Sequence, residues 1–180
     1  MSRIAPLEPP YPQQIQEQFD KVMSSGQPPL VLFRTIATSE RAYSKLRGGG
    51  LLDRGPLTLR AREIVIDRTC ALNRCEYEWG VHVAIFQQPA KLTDDEVRAT
   101  VLEGPDAACW NEAEQALIAA VDALHHHATW SDIEFAALKA HYSDDQILEV
   151  IQLCGFYRTI AYFANGLKLP LEPFSARFPD

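Results

Sequence analysis

At 180 residues, with 47% hydrophobic and 23% charged residues, the chain has the length of one domain and enough apolar material for a sizeable core, which excludes a globally disordered polypeptide. Seventeen Lys and Arg against twenty-four Asp and Glu leave a net charge of −7, and without a basic tract the sequence lacks the electrostatic footprint of a nucleic-acid binder. No apolar run approaches membrane-spanning length, Asp, Glu, Lys or Arg interrupting every candidate, and residues 1–10 contain no continuous h-region, so the expectation is a cytoplasmic protein with no membrane partner.

Residues 1–14, rich in Pro and Gln, read as an N-terminal arm, 15–170 as a helical domain and 171–180 as a C-terminal tail. The spacing of Ile15, Phe19, Val22 and Met23 predicts a first helix to about Ser24, ended by Gly26-Gln27-Pro28-Pro29. Leu30 through Tyr43 and Leu46 reads as a second. Gly48-Gly49-Gly50 and Gly55-Pro56 bracket a flexible connection. Thr58 is the expected N-cap of a helix from Leu59 to about Asn73, a residue tolerant of a left-handed cap. The next helix runs from about Cys75 to Gln88, with Pro89 as its stop. Thr93-Asp94-Asp95-Glu96 opens a short helix, Gly104-Pro105 interrupts, and helices follow over Trp110 to His126 and Trp130 to His141. Ser143 to Gln146 caps a last helix that reaches Leu167. With no β alternation, the expectation is an all-α fold of about six to eight helices.

The chemistry-bearing stretch is 62–82. Cys75, Glu78 and His82 are spaced three and four apart, so a helix places them on one face. Glu63, on the preceding helix, has Leu59, Ile66 and Cys70 as its neighbours at i−4, i+3 and i+7, company that points to a buried acid or a snorkelling one. A thiol at a helix start gains thiolate character from the dipole, a desolvated Glu63 becomes a proton carrier, and His82 titrates near neutrality. The other cysteines, Cys70, Cys109 and Cys154, read as small buried hydrophobes, with no disulfide framework and no C-x-x-C pair.

The segment resembles the core motif of the carboxymuconolactone decarboxylase family, which includes the alkyl hydroperoxidase D-like proteins. The peroxidase branch of that family carries Glu, eleven residues, then C-x-x-C-x-x-x-H. This sequence has Glu63, eleven residues, Cys75, Glu78 in place of the second Cys, and His82. The lead-in from Leu57, the string Cys75 to Trp79, the late helix from Ile147 to Gly166 and the opening Arg3 to Leu7 are similar as well. The resemblance implies an all-α, alkyl hydroperoxidase D-like helical domain that forms a homo-oligomer (dimer, trimer or hexamer) and acts on a small molecule, a peroxide or a carboxylated lactone. It implies catalytic roles for Glu63, Cys75, Glu78 and His82, and no cofactor or metal.

Glu78 makes a dithiol peroxidase unlike this chain. One reading is a one-Cys peroxiredoxin-type enzyme in which Cys75 becomes a sulfenic acid. A second is a cofactor-independent decarboxylase or isomerase using Glu/His proton transfer. A third is a non-catalytic helical oligomer that keeps the motif as packing. His125-His126-His127 cannot converge on one ion, since successive helical residues point about 100° apart, and Gly48-Gly49-Gly50 lacks the Lys-Ser/Thr of a phosphate loop. Phe156, Tyr157, Tyr162 and Phe163 read as core, subunit contact or pocket wall. Arg34 and Arg158 are candidates either to pair with Glu63 or Glu78 or to grip a substrate carboxylate.

Overall fold

The structure, a computed structural model, describes residues 2–23, 27–46 and 49–180. Among them are nine α-helices, one 3-10 turn and no strand. The expected boundaries at Ser24, Gly26 and Gly48 lie outside the described residues.

α1 (Gln13–Asp20) buries Ile15 and Phe19, one turn apart. The stretch expected to be one helix from Leu30 to Leu46 is two, α2 (Val31–Ile36) and α3 (Glu40–Leu46). The break follows from short hydroxyl side chains competing for the backbone. Thr38 Oγ1 donates to the Thr35 carbonyl at 2.8 Å, and Ser39 Oγ accepts from the Ala42 amide at 3.3 Å.

α4 (Leu59–Leu72) starts at Thr58, whose hydroxyl accepts from the Ala61 amide, and buries ten successive residues, Ala61 to Cys70. A helix enclosed on every side is a core helix; α4 packs against α5, α6, α7 and α9. It ends in a Schellman motif, with the Arg74 amide donating to Ala71 O and the Cys75 amide to Cys70 O, both at 2.9 Å. The left-handed residue is Arg74 (φ 52°), not Asn73 (φ −86°). Asn73 spends its side chain on the Thr69 carbonyl, and its own carbonyl receives Asn165 of the last helix.

α5 (Glu76–Ala90) therefore returns antiparallel along α4. It runs through Pro89 to a left-handed Lys91. A proline in the last turn removes one backbone donor there without breaking what precedes it. α6 (Asp94–Leu102) is held by a Thr93–Glu96 capping box and followed by the 3-10 turn Gly104–Asp106. α7 (Glu112–His127) and α8 (Asp132–Lys139) start from Asn111–Glu114 and Ser131–Glu134 boxes, each two residues later than the apolar pattern suggested.

α9 (Asp144–Leu167) begins with a Ser143–Gln146 box. Contrary to expectation it is long and apolar enough to cross a membrane by length and composition. One face, Ile147, Val150, Leu153, Tyr157, Ile160, Ala161 and Ala164, is buried in the core formed with α4, α5 and α7. The last residues are strapped across α5. The Ala176 amide donates to Gly80 O at 3.0 Å, the Phe178 amide to Glu76 Oε1 at 3.1 Å, and the Phe178 ring lies 5.1 Å from that of Trp79. A Cβ on Gly80 would collide with the Ala176 carbonyl, which is why this helical position is glycine. Glu172 Oε1 then caps the start of α2, accepting from the Val31 amide at 2.6 Å and from the Tyr77 hydroxyl.

Candidate functional site

The α4–α5 hairpin places Glu63 opposite His82. Glu63 is 1% exposed, and its Oε2 lies 2.7 Å from His82 Nδ1. Its other oxygen accepts from Arg62, at 2.9 Å from Nε and 2.8 Å from a terminal nitrogen. Arg62 also donates to the carbonyls of Leu51 and Leu52 and lies 5.4 Å from the centroid of the Phe86 ring. It thereby ties the loop before α4 to the buried acid. The partner of Glu63 is its own neighbour in sequence. Neither expected arginine fills that role: Arg34 pairs with Glu8 and the Leu7 carbonyl, and Arg158 with the Tyr162 hydroxyl and the His125 carbonyl.

On the pocket side, His82 Nε2 faces Glu78 Oε1 at 3.6 Å, one turn back along α5. Burial alone would push the imidazole down, but Glu63, by charge and hydrogen bond, and then Glu78 outweigh it and raise His82 to about 10. The ring is thus an imidazolium at neutral pH, not the near-neutral titrator the sequence suggested. The Tyr157 ring meets it edge-on at 5.0 Å.

Glu78 Oε2 is buried and has no hydrogen-bond partner. Glu78 also lines a cavity of about 400 Å³ whose other walls include Phe33, Tyr43, Leu51, Phe156, Tyr157 and Ile160, with Lys21 and Asp53 among its polar residues. The four expected site residues do not all reach this hollow. Glu78 lines it, whereas Glu63, His82 and Cys75 stand behind, each at most 4% exposed. Of the late aromatics, Phe156 and Tyr157 form its wall, Tyr162 is exposed and Phe163 packs on the core.

Cys75 is the N-cap of α5 and fully buried. The expectation of an activated thiol fails on magnitude. Burial dominates; the backbone N–H groups of Glu78 and Tyr77 favour the thiolate but are outweighed, and the thiol is pushed up to about 12. Cys70 and Cys75 are the apolar contact that accompanies a Schellman turn, and burial also raises Cys70 well above an ordinary thiol.

Asp67, one turn after Glu63 on α4, is a site residue the sequence reading passed over. It is 1% exposed, its Oδ1 has no partner, and burial, reinforced by Glu63 and opposed by His82, raises its carboxyl well above the usual range. Three carboxyl groups, Glu63, Asp67 and Glu78, thus share the interior with two basic groups, Arg62 and His82, and burial raises Asp67. The i,i+4 spacing from Glu63 within an otherwise apolar run was the signal available. Among the described residues, no three His, Cys, Asp or Glu side chains converge as a metal-ligand set. His125, His126 and His127 occupy the last turn of α7, where burial, joined by Arg158, lowers His125.

Residues 37–122, which include Glu63, Asp67, Cys75, Glu78 and His82, match the sequence model of the carboxymuconolactone decarboxylase family. No curated protein matches the chain significantly. Solved structures of several proteins share its fold. A peroxidase-related protein with the alkylhydroperoxidase AhpD core from Ralstonia eutropha has a TM-score of 0.84 at 19% identity, covering 96% of this chain and 93% of its own. A debrominase in complex with 2,3,4-tribromopyrrole scores 0.77 at 15% identity, covering 97% and 94%. An Agrobacterium tumefaciens protein, named for AhpD-type antioxidant defence, scores 0.68 at 21% identity, covering 76% and 94%. At such identities these likenesses speak for the fold. Residues 37–122 thus carry the sequence pattern of the carboxymuconolactone decarboxylase family, and the fold is that of the alkyl hydroperoxidase D-like helical domain.

Proposed function

We propose that the protein is an enzyme that moves protons at a small bound molecule, with Glu78 meeting the substrate and the His82–Glu63 pair behind it exchanging and stabilising the proton. The observation that carries this reading is the unpartnered Oε2 of Glu78, on the one acid–base residue of the set that lines the cavity. Glu78 takes or gives a proton at the substrate, His82 Nε2 stabilises its carboxylate from 3.6 Å, and Glu63 holds the imidazole in place through Nδ1. Decarboxylation and isomerisation of an activated ring both need such a proton-handling group. The reading also keeps the chain in the cytoplasm as a homo-oligomer; the exposed Ile133, Leu148, Ile151 and Tyr162 on α8 and α9 supply apolar surface for subunit contact.

A one-Cys peroxidase is the second reading. The amides that favour the thiolate at Cys75 support it, as do the peroxidase-related names among proteins of this fold. Its weakness is access, because a fully buried thiol raised to about 12 supplies little thiolate to a peroxide.

Exchange in D2O separates the two. Small enolisable lactones and hydroxylated rings are incubated with enzyme, and deuterium uptake at carbon is followed by NMR. The expected result is uptake with wild type, a drop of about 10²-fold or more for Glu78→Gln, and uptake near the wild-type rate for Cys75→Ser. Loss with Cys75→Ser and retention with Glu78→Gln would transfer the chemistry to the thiol. No uptake by the wild type across the panel would overturn the proton-transfer reading and leave the peroxidase and the non-catalytic oligomer.

A further inference from the structure

The cavity before Glu78 has a composition that selects its ligand by charge. Its walls are mostly apolar and aromatic: Phe33, Phe156 and Tyr157, with Leu51 and Ile160. Aromatic walls favour a flat ring over a branched chain, and about 400 Å³ suits a small molecule.

The polar groups are sparse and one-sided. Glu78 Oε2 is buried without a donor, and a carboxylate oxygen left so in the interior is destabilising until something donates to it. A ligand anion would have to share the space with that carboxylate and would find little to neutralise it. Arg62 is committed to Glu63 and to the Leu51 and Leu52 carbonyls. Arg34 is bonded to Glu8 and the Leu7 carbonyl, and Arg158 lines a different hollow beside His125 and Cys154. Lys21 is the only cation among the described lining residues, and it is exposed and accompanied in the lining by Asp53.

We propose that the cavity binds a neutral aromatic or heteroaromatic ring carrying an acidic O–H or N–H, which donates to the Glu78 carboxyl group where it lines the cavity, and that it discriminates against carboxylates. This rests on the reading of Glu78 as the group that meets the substrate, and it narrows the ligand from lactone acid to ring donor. Proton transfer within that contact balances without a co-reactant: the ring O–H or N–H bond breaks, a bond forms to a Glu78 carboxylate oxygen, and the ring keeps the electron pair as phenolate or azolate. His82 Nε2 stands 3.6 Å from Glu78 Oε1, behind that contact.

Three matched probes test it by calorimetry at pH 7: 4-chlorophenol, 4-chloroanisole, in which methyl replaces the donated proton, and 4-chlorobenzoate. The expected result is that the phenol binds at least tenfold more tightly than either of the others. In Glu78→Met the phenol and the anisole should bind alike, with Glu78→Gln as a second variant and circular dichroism as the check on folding. The proposal is overturned if the benzoate binds most tightly, if the phenol preference survives in Glu78→Met, or if no probe binds to the wild type. Its failure is distinct from that of the acid–base reading. Selective phenol binding without deuterium exchange sinks that reading and leaves this one, whereas exchange on a lactone with preference for the benzoate does the reverse.

Discussion

At the scale of single residues, the interior of the α4–α5 hairpin holds more acid than base, and the surplus sits on Asp67. A carboxyl raised by burial contributes its stability below the unfolded value near 4 and loses it as pH rises through its folded value. Asp67 is therefore a stability cost that grows with pH, and Asp67→Asn, a neutral side chain of the same shape, should stabilise the protein at pH 9 by about 1 kcal/mol or more and less at pH 5. Urea denaturation at the two pH values checks the direction. His82 has the opposite dependence. Its folded value is raised, so its contribution is complete below about 6.5 and is lost as pH rises through about 10. Glu63→Gln leaves the imidazolium short of its main partner and should cost about 3 kcal/mol at pH 7 by the same measurement.

The identities of Glu63, Glu78 and His82 were legible in their spacing, because three and four residues along one helix and an acid on the next are enough to bring groups together. Burial was not legible. It decides that Cys75 is a packed N-cap and not an exposed nucleophile, and that Arg62, adjacent in sequence, is the partner of Glu63 where Arg34 and Arg158 seemed as good.

At the scale of elements, the capping signals read well. Thr58, Thr93 and Ser143 stand where the structure begins helices, since a short oxygen side chain at a helix start has a local geometric cause, reinforced at Thr93 and Ser143 by an acid or amide three residues on. Boundaries set by competition read less well. Thr35 to Ser39 divide one apolar stretch into two helices, and Pro89 is absorbed by a final turn. The turn joining the two site helices places an arginine at a left-handed φ of 52°, strain that a glycine would not carry. Arg74→Gly should raise stability by about 0.5–1 kcal/mol, seen as a higher denaturation midpoint with unchanged slope. A decrease would mean that the arginine side chain does something for the turn beyond occupying it.

Taken whole, the molecule is an all-α domain organised around α4, and the site lies where α4 and α5 face the loop around residue 51, α2 and α9. That architecture was readable from helical punctuation, although the count rose to nine among the described residues because short helices carry weak periodicity. The C-terminal segment was not readable as more than a tail. It is fastened to α5 at Gly80 and Glu76 and to α2 through Glu172, so it links the helix bearing Glu78 to the helix bearing Phe33. Gly80→Ala should release this strap, at a cost of about 2 kcal/mol, and expose 171–180 to limited proteolysis that leaves the wild type intact. Equal resistance in the two proteins would show that the strap tolerates a methyl group.

The measurement that bears most directly on the buried proton-holding pair is the titration of the His82 ring nitrogens by NMR from pH 5 to 11, in the wild type and in Glu63→Gln. The account predicts an imidazolium that persists beyond pH 8 and titrates near 10 in the wild type, falling by more than one unit in the variant. A midpoint between 6 and 7 in both proteins would contradict it, for Glu63 would then hold no proton on His82 for Glu78 to use.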